Sequence, residues 1–355
     1  MPRPLRTAAL ALAAALALTS LFGGVSAGKA SAADTGGLSL AQATTVGLHN
    51  TYVPATFSYL AQALDTGTSM IELDVWDDFI TKEWKVSHDN PLGNSNNCVD
   101  ASAASQLYSG GANKDLESCL DDVRVWLAAH PGHAPLYIKL EMKAGFQSTY
   151  GLGPAQLDTA IRNHLGSDVF RPADLLAKPG GGTYANLDEA ARAGNWPTRA
   201  QLAGKVIIEA IPGTVEESNP TDTLWTDVEY ATYLRNLNTA GNIGNAEVFP
   251  AVHNAASGDP RTRYADTTIR PWFVAFDGDA STYMGGTIDT SWYDTNHYLL
   301  VMTDAQNVSP AISDTSPTEA EAQARVAQLA AAHASIVSSD WTTLPTVQAQ
   351  SLPRG

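Results

Sequence analysis

Short apolar runs rich in Val, Ile, Leu and aromatic residues recur along the chain, separated by longer Ala- and Leu-bearing stretches of helical period. The runs Thr44–Leu48, Ser69–Val75, Leu136–Glu141, Lys205–Ile211, Glu247–Ala251, Trp272–Phe276, Tyr298–Met302 and Ser335–Ser338 predict eight strands. Between them, Tyr59–Asp65, Leu120–Ala129, Gln156–His164, Leu187–Arg192, Trp225–Leu237 and Glu319–His333 predict helices, the last opened by a Thr318/Glu321 capping box. Eight strands alternating with helices predict an α/β fold, a single (β/α)8 TIM-like barrel. A doubly wound open sheet explains the alternation equally well. It calls, however, for a glycine-rich phosphate loop after the first strand, where this chain reads Gly47-Leu48-His49-Asn50-Thr51-Tyr52. The polar stretch from Asn90 to Ser118 breaks the alternation and is expected to be an insertion on the rim. The Gly180-Gly181-Gly182 turn and the loop from Pro212 to Asp222 are expected as further rim elements.

The first 32 residues stand apart from this pattern. Arg3 and Arg6 precede an apolar stretch from Ala8 to Phe22, and Ala30-Ser31-Ala32 follows, the order of a secretory signal. The apolar run is shorter than the ~20 residues that cross a bilayer, so 1–32 is expected to be removed, leaving 33–355 as one secreted barrel domain with no transmembrane segment. Removal takes three cations and no carboxylate, moving the formal charge from −16 to −19. Such a surface repels nucleic acid and strongly anionic membranes, and excludes nucleic acid as the main partner. Both cysteines, Cys98 and Cys119, lie in the exported part, and oxidation there predicts a disulfide that tethers the insertion. Their spacing has neither a CxxC nor the paired pattern of a zinc ribbon.

Candidate chemistry gathers where the first predicted strands end. His49 and Asn50 follow the first, Glu72 and Asp74 share one side of the second, His88 and Asp89 end the segment Trp84–Ser87, and Glu141 closes the third. On a barrel, C-terminal strand ends surround one mouth, so these residues are expected to converge. Three carboxylates and a side-chain amide make an oxygen-rich cage suited to Ca2+ rather than zinc. Without a counter-ion their mutual repulsion would push at least one toward protonation. An internal salt-bridge network through Lys139 or Lys143 is the alternative use of the same carboxylates. Two imidazoles that exchange protons near neutral pH suit general acid–base work on a phosphodiester.

His49-Asn50-Thr51-Tyr52, Ile71-Glu72-Leu73-Asp74-Val75-Trp76-Asp77, Ser87-His88-Asp89 and Ile138-Lys139-Leu140-Glu141 resemble successive motifs of phosphoinositide-specific phospholipase C, in its secreted bacterial calcium-dependent branch. The resemblance covers about residues 44 to 143. It implies His49 and His88 as catalytic histidines, Asn50, Glu72, Asp74 and Glu141 as ligands of Ca2+, and cleavage of phosphatidylinositol at a membrane or micelle interface by a monomer. The implied products are diacylglycerol and an inositol cyclic phosphate, which water can later open. Lys143, near the cluster, and Asp277, Asp304, Asp340 and Trp341, near later strand ends, are candidates for holding the phosphate or the polyol. A glycerophosphodiesterase is the nearest alternative enzyme, although those enzymes usually carry His-Arg where this chain has His49-Asn50. A non-catalytic secreted polyol-binding barrel is the alternative from another class.

Overall fold

The computed structural model describes residues 35–218 and 224–355. The expected leader, 1–32, lies outside the described residues. Among the described residues ten strands form one sheet: β1 (Ala43–Leu48), β2 (Met70–Asp78), β3 (Glu83–Val86), β4 (Leu136–Met142), β5 (Val206–Pro212), β6 (Phe249–His253), β7 (Ala275–Asp279), β8 (Leu299–Thr303), β9 (Ile336–Ser339) and β10 (Ser351–Pro353). Eight of them run parallel in the order β1, β2, β4, β5, β6, β7, β8, β9, and β9 pairs back to β1, closing the barrel. The two others are antiparallel additions, β3 on β2 and β10 on β1.

Every residue of β5 and nearly every residue of β2 and β4 is buried, because side chains face either the barrel interior or the surrounding helices. The seam between β1 and β2 is one register pair, Gly47 with Met70. A Cβ on Gly47 would lie 2.8 Å from Met70 Cβ, so the absence of a side chain lets the two backbones close there.

The helices fall where periodicity places them, with revised ends. Leu116–Ala129 begins a turn earlier than predicted because Asp115 caps it, accepting from the Ser118 N–H at 3.0 Å. The Thr318/Glu321 capping box forms as predicted at the start of Glu319–Ala331. The sixth predicted strand, Trp272–Phe276, is displaced to Ala275–Asp279. Pro271 lacks the N–H a parallel ladder requires, and Arg270–Trp272 makes a 3-10 turn instead.

The insertion between β3 and the Leu116–Ala129 helix is joined to the body. Cys98 and Cys119 form a disulfide and both are fully buried. Asn97 Nδ2 donates to the carbonyls of Thr51 and Phe57 at 3.0 and 2.9 Å, and Asp122 accepts from the N–H groups of Val99 and Ala101, both at 2.7 Å. The Gly180–Gly182 turn belongs elsewhere. It precedes β5 and, with Lys178 beside Lys205, lies at the strand-start end of the barrel rather than on the catalytic rim. Among the described residues no helix is long and apolar enough to cross a membrane.

Candidate active site

Strand register brings the carboxylates together. Glu72 pairs with Lys139 and Asp74 with Glu141 across β2 and β4, and alternation turns all four into the barrel. Glu72, Asp74 and Glu141 each offer an oxygen, and the three atoms lie within 4.8 Å of one another. His49 follows β1 and bridges two acids, with Nδ1 3.0 Å from Asp340 Oδ1 and Nε2 3.3 Å from Glu72 Oε2. Asn50 adopts a left-handed conformation (φ 51°), its N–H donates to Glu72 Oε2 at 3.2 Å, and its Oδ1 accepts from the Tyr52 hydroxyl at 3.1 Å. The left-handed turn is what lets Asn50 face the cluster directly after a strand.

Both lysines considered as counter-ions are used. Lys139 Nζ lies 3.2 Å from Glu72 Oε1 and 3.1 Å from Asp277 Oδ2, while Lys143 Nζ lies 3.1 Å from Asp74 Oδ2 and 2.9 Å from Glu141 Oε1. Gly213 allows this second arrangement, since a Cβ there would lie 2.5 Å from the Lys143 Cα. The lysines leave a negative excess: Asp74 Oδ1 is buried without a hydrogen-bond partner. Burial, reinforced by Glu72 and Glu141, pushes Asp74 up to about 7 despite Lys143 and the Tyr52 hydroxyl. Burial also works against ionisation of Glu72, but Lys139, His49 and the Asn50 N–H overcome it and hold Glu72 at about 2. At His49 burial favours the neutral ring, yet Glu72 and Asp340 outweigh it and raise the imidazole to about 9. Deeper in the barrel, burial and Asp277 lift Glu209 to about 8, and it accepts from the Tyr137 hydroxyl at 2.9 Å.

A buried carboxylate oxygen without a hydrogen-bond partner among three converging acids fits a hard cation with oxygen ligands, and Glu72, Asp74 and Glu141 form a group that could hold one.

His88 stands at the edge of this group. The Ser87 N–H donates to the Asp74 carbonyl at 3.1 Å, so His88 follows directly beyond the level of Asp74. Its side chain is 54% exposed, and Nδ1 lies 2.7 Å from Asp89 Oδ1.

The residues expected to meet a polyol or phosphate are placed differently from one another. Asp340 is the partner of His49, a role that its predicted strand-end position did not reveal. Lys143 lies between two cluster carboxylates. Asp304 is half-buried in a left-handed conformation, its Oδ1 accepting from Gln306 Nε2 at 3.1 Å. Asp277 and Trp341 require correction: Asp277 is fully buried against Lys139, and Trp341 is fully buried with its indole N–H donating to the Ser313 carbonyl at 3.2 Å. Neither leaves a face for a ligand. The reading of the sequence passed over Tyr52 and His253. Tyr52 lay inside the first quoted motif. His253 ends β6 in a His-Asn pair, the same dipeptide that had drawn attention to His49.

A cavity of about 870 Å3 opens at the opposite, strand-start end and is lined by Arg162, Arg171, Lys178 and Lys205. Arg162 is paired with Glu247 and Arg171 with Asp174, Lys205 donates to the Ser167 carbonyl, and Lys178 lies over the Tyr184 ring. These cations are already engaged, and the cavity holds neither the histidines nor the carboxylate cluster.

Residues 106–223 match the family described as "Phosphoinositide phospholipase C, Ca2+-dependent", a span that contains Glu141 and Lys143 but neither His49 nor His88. A Ca2+-dependent phosphatidylinositol-specific phospholipase C from Streptomyces antibioticus is 55% identical, covering 89% of this chain and 99% of its own, with a TM-score of 0.87. A calcium-dependent phosphoinositol-specific phospholipase C from a Gram-negative Pseudomonas sp is 20% identical over 90% of this chain and 96% of its own, with a TM-score of 0.67, a likeness of fold. A comparison with curated proteins finds no match.

Proposed function

The chain belongs to the calcium-dependent phosphoinositide phospholipase C family, and from that premise we propose that it cleaves phosphatidylinositol to diacylglycerol and an inositol cyclic phosphate. The observation that carries this reading is the convergence of Glu72, Asp74 and Glu141 beside a doubly held His49 at the barrel mouth. Calcium held by Asn50, Glu72, Asp74 and Glu141 would supply positive charge for the phosphoryl oxygens and acidify the attacking hydroxyl.

The side chains divide the rest of the work. His49, held between Glu72 and Asp340, is placed to hydrogen-bond the phosphoryl group. The proton of the inositol 2-hydroxyl passes to a carboxylate of the cluster, as the oxygen forms its bond to phosphorus. His88 gives a proton to the glycerol oxygen as the P–O bond to diacylglycerol breaks. Water can then add to the cyclic phosphate and open it, with the acid and base roles reversed.

Exposed apolar side chains support contact with a lipid surface. Phe79, Ile80, Leu92, Tyr150, Val215 and Leu224 are all exposed, on segments that follow the C-terminal ends of β2, β3, β4 and β5. They follow three neighbouring strands of the barrel, β2, β4 and β5, and the β3 addition on β2, where an apolar rim can enter the interfacial zone without a basic surface. Secretion of residues 33–355 as a single catalytic domain is supported by the leader pattern and by the buried disulfide.

The test is turnover of phosphatidylinositol after chelation, with calcium titrated back and phosphorus NMR following the cyclic product. Calcium-restored formation of inositol cyclic phosphate is expected. Full activity in chelator would overturn the metal assignment, and release of glycerol phosphate would favour the glycerophosphodiesterase alternative.

A further inference from the structure

The His-Asn arrangement that starts the active site occurs a second time. His253 ends β6 and Asn254 follows it, as His49 and Asn50 follow β1. Both asparagines are left-handed, with φ of 51° at Asn50 and 69° at Asn254. Both histidines present Nδ1 to a carboxylate, Asp340 at 3.0 Å and Glu217 at 2.8 Å, and each asparagine Nδ2 lies beside the same ring nitrogen, at 3.3 and 3.4 Å. Both turn Nε2 toward an inward-facing carboxylate, Glu72 and Asp277, and Lys139 joins those two acids across the barrel. In a ring of eight strands β1 and β6 are four steps apart in either direction, so the two imidazoles occupy opposite walls of one mouth.

The second arrangement is held firmly. Arg263 donates to the carbonyls of His253 and Asn254 at 2.5 and 2.8 Å, fixing the backbone that carries the ring. Glu217 also accepts from Asn254 Nδ2 at 2.9 Å. Asparagine is one of the few non-glycine residues that enters the left-handed region readily, and the chain places one directly after each of these two histidines. The His253 side chain is 19% exposed; the cavity of about 220 Å3 beside it is lined by its Nδ1 partner Glu217 with Asp227 and Tyr264 and does not include Asp277, so it is separate from the mouth that Nε2 faces. The His253 Nε2 is 3.8 Å from Asp277 Oδ1, beyond hydrogen-bond range, so with Nδ1 taken by Glu217 this nitrogen is the one left to a ligand.

We infer that His253 is a second substrate-contacting residue, which hydrogen-bonds a hydroxyl of the polyol headgroup from the wall opposite His49. The inference rests on the phosphatidylinositol reading. A ring carrying hydroxyls all round, anchored through its phosphodiester beside His49, presents its remaining hydroxyls to the far wall. A hydroxyl both donates and accepts, so it pairs with Nε2 in either protonation state of the imidazole. Glu217 is then a positioning residue, and Asn254 and Arg263 set the height of the ring.

Three measurements test this. Wild-type cleavage of phosphatidylinositol is scored first, and its absence would sink the functional reading without bearing on the geometry of His253. H253F, which fills the space without a hydrogen bond, is expected to lose about 10-fold in kcat/KM and in affinity for free myo-inositol, as a single lost hydrogen bond would produce. H253Q, which returns a polar atom near Nε2, should recover most of both. An active wild type with H253F within about twofold of it in both quantities would overturn the inference. So would equal losses in H253F and H253Q at an unchanged unfolding temperature. If H253F folds poorly, the wild type decides: with labelled imidazoles, saturating myo-inositol should shift the His253 nitrogen resonances as well as those of His49. A shift at His49 alone would refute a contact at His253.

Discussion

Replacing Asp74 by asparagine should stabilise the calcium-free protein at alkaline pH while damaging its activity. Asp74 is 1% exposed, and burial together with Glu72 and Glu141 pushes its carboxyl from 3.8 up to about 7. The folded pKa is above the unfolded one, so the folded state favours the protonated form. The stability associated with that proton is fully present below about pH 4 and is lost as pH rises through about 7. By linkage the penalty on the wild type is small near pH 4 and grows to something on the order of a few kcal/mol by pH 8. D74N carries no such penalty, and its loss of the ion pair with Lys143 is softened because Lys143 keeps Glu141 at 2.9 Å. The stability of D74N relative to wild type should therefore rise between pH 5 and pH 8 in chelator, by on the order of 2 kcal/mol. Denaturant unfolding at the two pH values measures that change. Calcium should reverse the order at pH 8, because the wild type gains more from binding, and turnover by D74N should require more calcium and remain depressed. A D74N-minus-wild-type difference that does not change with pH would refute the argument that the cluster carries uncompensated charge.

H88A should keep its calcium affinity, measured by calorimetry, but lose about 10²- to 10⁴-fold in turnover of phosphatidylinositol, with a smaller loss for a nitrophenyl leaving group that needs no proton. D340N should lower the His49 imidazole from about 9 toward its ordinary range, read by NMR titration, because a charged partner 3.0 Å from Nδ1 is removed. Opening the Cys98–Cys119 bridge, which spans 21 positions, should lower stability by about 3 kcal/mol and speed proteolysis between Asn90 and Ser118 while leaving the barrel folded. I80E combined with L92E should reduce hydrolysis of phosphatidylinositol in vesicles several-fold and leave a soluble monomeric substrate nearly unaffected; equal losses on both would remove the rim from membrane contact.

The one-dimensional pattern of this chain determines its barrel. Each of the eight parallel strands overlaps a run read from apolar periodicity, because a strand covered on both faces is predominantly apolar, with charged residues only where they line the mouth or the barrel interior. Helices such as Leu187–Arg192 follow from period and caps that act within a few residues. Local chemistry was equally readable at His49-Asn50 and Glu72-x-Asp74, since strand ends on a barrel share a mouth and alternation puts Glu72 and Asp74 on one side. Contacts between residues far apart in sequence were not readable. Asp340 lies 291 positions from His49, and only closure of β9 onto β1 brings the two within hydrogen-bond distance. Lys139 and Lys143 were both named as possible counter-ions, but their division, one to Glu72 and Asp277 and the other to Asp74 and Glu141, depends on side-chain reach across the barrel. Asp277 and Trp341 show the limit from the other side. A polar or aromatic residue near a strand end can face the mouth or the interior, and local sequence is the same in both cases. Packing decides between them, because a buried carboxylate needs the partner that Lys139 supplies, and that partner is placed only when the ring of strands has closed.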